Sequence, residues 1–111
     1  MKINCNLRNN NLVCKLAGDI DHHNAEAIRN AVNAEFHRHG AKNLVFDFSH
    51  VSFMDSSGIG LIIGRYKEVS GIGGKVFAIN ISPELNRIFE ISGLKKIIQC
   101  YESLEQAEIN A

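Results

Sequence analysis

Apolar positions along the chain switch between two periods, and the switches mark out its elements. Residues 2–7 and 11–17 are strand-like; in the second, Leu12, Cys14 and Leu16 alternate with Val13 and Lys15, so one face should be more buried than the other. Asn9-Asn10-Asn11 between them predicts a turn, because asparagine tolerates left-handed backbone angles, and the two runs should form an antiparallel hairpin. After a polar loop, Gly18-Asp19-Ile20-Asp21-His22-His23-Asn24, the residues Ala25, Ile28, Val32 and Phe36 fall at helical spacing. They predict a helix over 24–38, with Gly40 as its stop. Leu44-Val45-Phe46-Asp47-Phe48 reads as a buried strand, and Leu61-Ile62-Ile63 belongs to a helix-length segment that runs through Tyr66 and Val69 to Gly71. Gly71-Ile72-Gly73-Gly74 turns the chain into a strand over 75–79. Ser82-Pro83-Glu84 opens a helix, with proline at its first position, Leu85, Ile88 and Phe89 as its apolar stripe, and Ser92-Gly93 as its end. A last strand is expected over 97–100 and a closing helix over 102–108, with Leu104 and Ala107 inward.

The order is ββαβαβαβα. Strands alternating with helices imply parallel pairing through right-handed crossovers, hence an α/β fold with a mixed, mostly parallel sheet and one antiparallel edge strand. At 111 residues the chain has room for one core, so residues 1–111 read as a single domain without linker or repeat. Zero net charge removes any general electrostatic grip on nucleic acid or an anionic membrane. Recognition has to be local. No segment approaches membrane-spanning length, the N-terminus lacks the apolar core of a signal peptide, and Cys5, Cys14 and Cys100 show no CxxC spacing. The expectation is a cytoplasmic protein with reduced thiols.

The chemistry concentrates at Met54-Asp55-Ser56-Ser57-Gly58-Ile59-Gly60, where a strand gives way to a helix. A helix start exposes unpaired N–H groups and the positive end of the dipole, so it favours an anion. A phosphate made in place on a serine serves as well as a bound one. If the second and third strands are neighbours, their following loops share one edge of the sheet. Asp19, Asp21, His22 and His23 would then meet Ser49, His50, Met54, Asp55, Ser56 and Ser57, with Ile20 and Met54 as exposed apolar members.

Blander readings stand beside this one. Ser56 and Ser57 are good helix caps, and Gly58 and Gly60 suit close packing of a helix start as well as the approach of a kinase. Asp21-His22-His23 suggests a metal, but adjacent loop histidines should point apart and no second ligand cluster has helical i,i+4 spacing, so no metal is expected and Asp21 reads as a cap or a partner contact. His37-Arg38-His39 suits a helix C-terminus. A serine hydrolase needs a Gly-x-Ser-x-Gly elbow, which Ser57 lacks. Gly58-x-Gly60-x-x-x-Gly64 is a weak nucleotide signal, because the ribose-binding acid expected after the next strand is replaced by Ile79-Asn80-Ile81. Met54, Ile59 and the Phe89–Ile91 stretch are candidate apolar contacts, with Phe89 favoured as core.

Asp55-Ser56-Ser57-Gly58-Ile59-Gly60, the Gly18-Asp19-Ile20-Asp21 turn, and Ile81-Ser82-Pro83 followed by Ile91-Ser92-Gly93-Leu94 together resemble the STAS family of anti-sigma factor antagonists. Asp21-His22-His23, Ser52-Phe53-Met54 before the motif, and Gly64-Arg65-Tyr66-Lys67 look closest to its sporulation sigma F branch. The resemblance spans nearly the whole chain; Ile59, where a leucine is common, is a conservative departure. It implies a non-enzymatic switch. The unphosphorylated antagonist binds an anti-sigma F factor with serine kinase activity and frees sigma F. That partner brings ATP and Mg2+, so the chain itself needs no cofactor, and it phosphorylates the second serine of the motif, here Ser57. A metal-dependent serine phosphatase restores the switch. Asp21, Ile20, Met54, Asp55, Ser56, Gly58, Ile59 and Gly60 are the expected partner-binding residues. The competing expectation is a STAS-like nucleotide-binding or scaffold module that phosphorylation does not regulate.

Overall fold

The computed structural model describes residues 1–110. Its elements are β1 (Lys2–Arg8), β2 (Asn11–Ala17), α1 (Ala25–His39), β3 (Asn43–His50), α2 (Ser56–Gly71), β4 (Val76–Ile79), α3 (Pro83–Ser92), a 3-10 turn (Leu94–Lys96), β5 (Gln99–Tyr101) and α4 (Leu104–Asn110). The order matches the hydrophobic pattern element by element. All five strands form one sheet in the order β1-β2-β3-β4-β5, with β1 antiparallel to β2 and the other neighbours parallel.

That order decides where the helices lie. The three crossovers, β2 to β3, β3 to β4 and β4 to β5, all step the same way, so the right-handed rule puts α1, α2 and α3 on one face. The packing agrees. Leu12, Cys14, Leu16, Leu44, Phe46, Phe48, Val76 and Ala78 turn to that face and bury Ile28 and Val32 of α1, Leu61, Ile62 and Val69 of α2, and Leu85 and Phe89 of α3. The alternate positions Val45, Phe77 and Ile79 turn to the other face, which α4 covers with Ala107. Phe89 is fully buried and stands edge-on to Phe48 at 5.7 Å, so it is core. Ile91 is exposed.

Local chemistry sets the element ends. Asn9 takes a positive φ of 58° in the two-residue turn between β1 and β2. Gly40 and Gly93 take the left-handed conformation after α1 and α3, and the Ser82 hydroxyl accepts from Leu85 N–H at the start of α3. Gly74 is required for a different reason: a Cβ there would overlap the carbonyl oxygen of Lys42. Two expectations shift. Residues 97 and 98 do not start the last strand, because their N–H groups both donate to Leu94 O at 3.1 and 2.8 Å, closing the turn before pairing begins at Gln99. The closing helix starts two residues later than expected, at Leu104, after Ser103 accepts from Gln106 N–H.

Candidate functional site

Because β2 and β3 are neighbours, the loops that follow them meet, and backbone pairing locks them together. Ile20 and Met54 form an isolated parallel bridge. Ile20 N–H donates to Phe53 O at 3.1 Å, and Asp55 N–H donates to Ile20 O at 3.0 Å. Ser52 Oγ donates to Asp19 Oδ1 at 3.2 Å on the rim. The two loops are one surface.

The same pairing overturns the exposure expected for two residues. Ile20 is 0% exposed and Met54 2%, since both side chains turn into the main core below the bridge. Their contribution to any partner is therefore through the backbone they fix. The exposed apolar group at this edge is Phe53, at 50%. It turns outward with Ser52, while Val51 and Met54 turn in.

Asp55, not Ser56 or Ser57, caps α2. Its Oδ1 accepts from Ser57 N–H at 2.8 Å and from Gly58 N–H at 3.4 Å. Desolvation raises the Asp55 pKa, but N–H donors at Ser57, Gly58 and His22, together with the charge of His22, outweigh it and hold the carboxyl below the ordinary carboxylate range. Ser56 and Ser57 are thus the first two helical residues, with their hydroxyls outside the capping role. Ser56 is exposed and Ser57 half-buried. Gly58 is buried under the loop bridge, where a Cβ would come within 2.8 Å of Met54 Cβ and 3.0 Å of Ile20 Cγ2. At Gly60 the same atom would meet nothing within 4 Å. Ile59 is half-buried against the core.

On the other loop, Asp21 Oδ1 accepts from His23 N–H at 2.9 Å and Asn24 N–H at 3.2 Å, while Asn24 Oδ1 accepts from Asp21 N–H at 2.9 Å. Asp21 thereby organises the entry to α1. The His22 and His23 rings do not point apart, as expected of neighbours on a loop; the turn folds them over one another with centroids 3.9 Å apart. Among the described residues no three His, Cys, Asp or Glu side chains cluster in a way that would hold a metal.

Between α1 and α2 lies a cavity of about 520 Å3, with Ser57, Gly60 and Gly64 on one wall and His22, Ala25 and Arg29 on the other. Arg65 closes its end. This cation is 6% exposed; its Nη1 donates to Asn33 Oδ1 across the helix pair and to Glu68 Oε2 at 3.2 Å, while its buried Nε has no partner among the described residues. The sequence reading assigned Arg65 no role at the site. A charge inside the apolar stripe Leu61, Ile62, Val69 was the available signal.

The STAS domain family matches residues 2–107, which takes in both loops and every helix that bears on them. The chain belongs to the STAS family. The anti-sigma F factor antagonist of Paenibacillus polymyxa is 34% identical over 100 residues, covering 90% of this chain and 82% of that one. Among solved structures, the anti-sigma factor antagonist SpoIIAA in its unphosphorylated form superposes with a TM-score of 0.74 at 26% identity, covering 98% of this chain and 96% of that one. The Bacillus cell fate determinant SpoIIAA in its phosphorylated form gives 0.73 at 29% identity, with 98% of each chain covered. Among the described residues of this STAS domain, no helix is long and apolar enough to cross a membrane.

Proposed function

We propose that this STAS domain is an anti-sigma factor antagonist whose unphosphorylated form binds an anti-sigma F factor with serine kinase activity, and so frees sigma F. Phosphorylation of Ser57 by that partner ends the binding. The observation that carries this reading is the placement of Ser57: second residue of α2, half-exposed, its N–H held by Asp55 and its hydroxyl free of the cap. The sheet order adds support. It never reverses, so the sheet has no switch point of the kind that cradles a dinucleotide, and the paired loops make a surface suited to a protein. Asp21, Asp55, Ser56, Ile59 and Gly60 lie along this edge with Phe53, and Ile20, Met54 and Gly58 hold it in shape from beneath.

In the transfer step Ser57 Oγ would attack the γ-phosphorus of ATP bound by the partner with Mg2+; the new O–P bond forms, the bond between the β- and γ-phosphates breaks to release ADP, and the hydroxyl proton passes to a base of the partner kinase. A metal-dependent phosphatase later hydrolyses the phosphoserine. The phosphate adds close to two negative charges. At a helix N-terminus, with Arg29 across the cavity, the domain tolerates it. The comparable superposition on phosphorylated and unphosphorylated SpoIIAA supports a switch without refolding. The partner meets a dianion beside Asp55 and near Asp19 and Asp21; a loss of about 3 kcal/mol there is more than a hundredfold in affinity.

The test is to incubate the chain with its cognate anti-sigma F factor, ATP and Mg2+, and map phosphate by mass spectrometry. One phosphate on Ser57, absent in Ser57→Ala, with a hundredfold weaker complex after transfer, is the expected result. No phosphate transferred would leave a STAS-like nucleotide-binding or scaffold module and overturn the proposal.

A further inference from the structure

Two of the three cysteines are cross-strand partners. Cys5 on β1 lies directly opposite Cys14 on β2, and their sulfurs are in hydrogen-bond contact at 2.8 Å. The register fixes the kind of pair. The two-residue turn is closed by Arg8 opposite Asn11, the hydrogen-bonded pair next to a two-residue loop, and pair types alternate from there. Leu7–Leu12 is therefore non-hydrogen-bonded, Asn6–Val13 hydrogen-bonded, and Cys5–Cys14 non-hydrogen-bonded. In such pairs the Cα atoms stand about 4.5 Å apart with side chains on the same face, inside the span a disulfide bridges.

The two thiols differ in access. Cys14 is fully buried in the main core, whereas Cys5 is half-exposed on the edge strand. The contact with Cys14 lowers the Cys5 pKa, and the same contact together with burial raises that of Cys14. Cys100 is on β5, at the opposite edge of the sheet, with its Sγ directed to Ile98 O.

We propose that Cys5 and Cys14 form a redox-responsive dithiol site, in which a peroxide oxidises the accessible Cys5 and the buried Cys14 resolves it to a disulfide that fastens β1 to β2. In the first step the Cys5 thiolate attacks a peroxide oxygen; the S–O bond forms, the O–O bond breaks, and hydroxide leaves and takes up a proton to become water. In the second, the Cys14 sulfur attacks the sulfenic sulfur; the S–S bond forms, the S–O bond breaks, and water leaves with the Cys14 proton. Two thiols lose two electrons in all, and hydrogen peroxide becomes two waters. A dithiol reductant reverses the change by exchange.

The site responds at the free edge of the sheet. Among the described residues β1 pairs only with β2, so its backbone is held by one ladder and a few side chains. A bridge at the middle of that ladder ties the edge strand down covalently.

The folded, reduced chain treated with hydrogen peroxide should lose the mass of two hydrogens and yield a peptide joining residues 5 and 14, with Cys100 unmodified. Amide exchange across β1 should slow in the oxidised form and recover after reduction. Cys14→Ser should accumulate a sulfenic acid at Cys5 that a dione reagent traps, and Cys5→Ser should give no bridge. Should Cys14→Ser fail to fold, Cys5→Ser and the wild-type peptide map still decide the matter. Reaction first at Cys100, over-oxidation of Cys5 without a bridge, or a bridge that forms only after denaturation would each overturn the proposal.

Discussion

The carboxylate of Asp55 holds the N–H of Ser57 at 2.8 Å, so the residue proposed for modification sits in a helical turn fixed by a neighbour two positions earlier. Replacing Asp55 by alanine removes the acceptor and lowers the urea midpoint, whereas asparagine, an equally good cap, keeps it near wild type. The residual difference between aspartate and asparagine follows pH. The folded pKa of Asp55 is depressed, so its charge contributes stability above the unfolded value and loses it as pH falls through the folded one. Unfolding titrations from neutral pH to below the ordinary carboxylate range should show Asp55→Asn converging on wild type in acid. A difference that instead widens as pH falls would contradict this assignment.

Arg65 separates two kinds of partner. Asn33 is half-buried on the facing helix, while the Glu68 side chain is 61% exposed. An exposed ion pair contributes about 0.5 kcal/mol or less, and a bond to a group withdrawn from water about 1–2 kcal/mol. A double-mutant cycle of Arg65→Met with Asn33→Ala should therefore show a coupling near 1 kcal/mol, and the cycle with Glu68→Ala only a few tenths. Arg65→Ala should cost about 1 kcal/mol more than Arg65→Met, because it also removes the stem that fills the end of the cavity. Chemical denaturation of the six variants, four single and two double, checks all three numbers, and equal couplings would reject the distinction.

The hydrophobic period carried most of the fold, since three crossovers of one hand leave little choice of architecture once the strands are counted. What escaped the reading depended on pairings distant in sequence. Ile20 and Met54 looked exposed because each sits in a polar loop, and only the bridge between them shows both turning inward. The start of a helix at Ser56 and Ser57 was legible from the neighbouring residues, but the identity of the cap was not, since aspartate and serine are comparable caps and only hydrogen-bond geometry chooses between them. The last strand began late because the N–H groups of Ile97 and Ile98, which would otherwise open a strand, both close back on Leu94 O at the 3-10 turn. The Cys5–Cys14 pair needs the hairpin register, which three consecutive asparagines leave open: the two-residue turn at Asn9-Asn10 is what sets Cys5 opposite Cys14, and no Cys-x-x-Cys spacing draws attention to the pair.

Gly58 and Gly60 are two residues apart and should respond oppositely to alanine. At Gly58 the new methyl would press on Met54 Cβ and Ile20 Cγ2, which are core atoms with no open side to retreat to. The expected cost is about 1–3 kcal/mol, with the bridge between the loops loosened and partner binding lost along with it. At Gly60 there is open space, and alanine is the better helix former, so stability should rise by up to about 1 kcal/mol. If the edge carrying Ser57 is the surface an anti-sigma factor covers, Gly60→Ala should nonetheless weaken that complex, because its methyl stands out where the partner packs. Stability from urea unfolding and affinity from titration calorimetry on the same preparations separate the two effects. A Gly60→Ala variant that is more stable and binds as tightly as wild type would move the partner's footprint off this turn of α2.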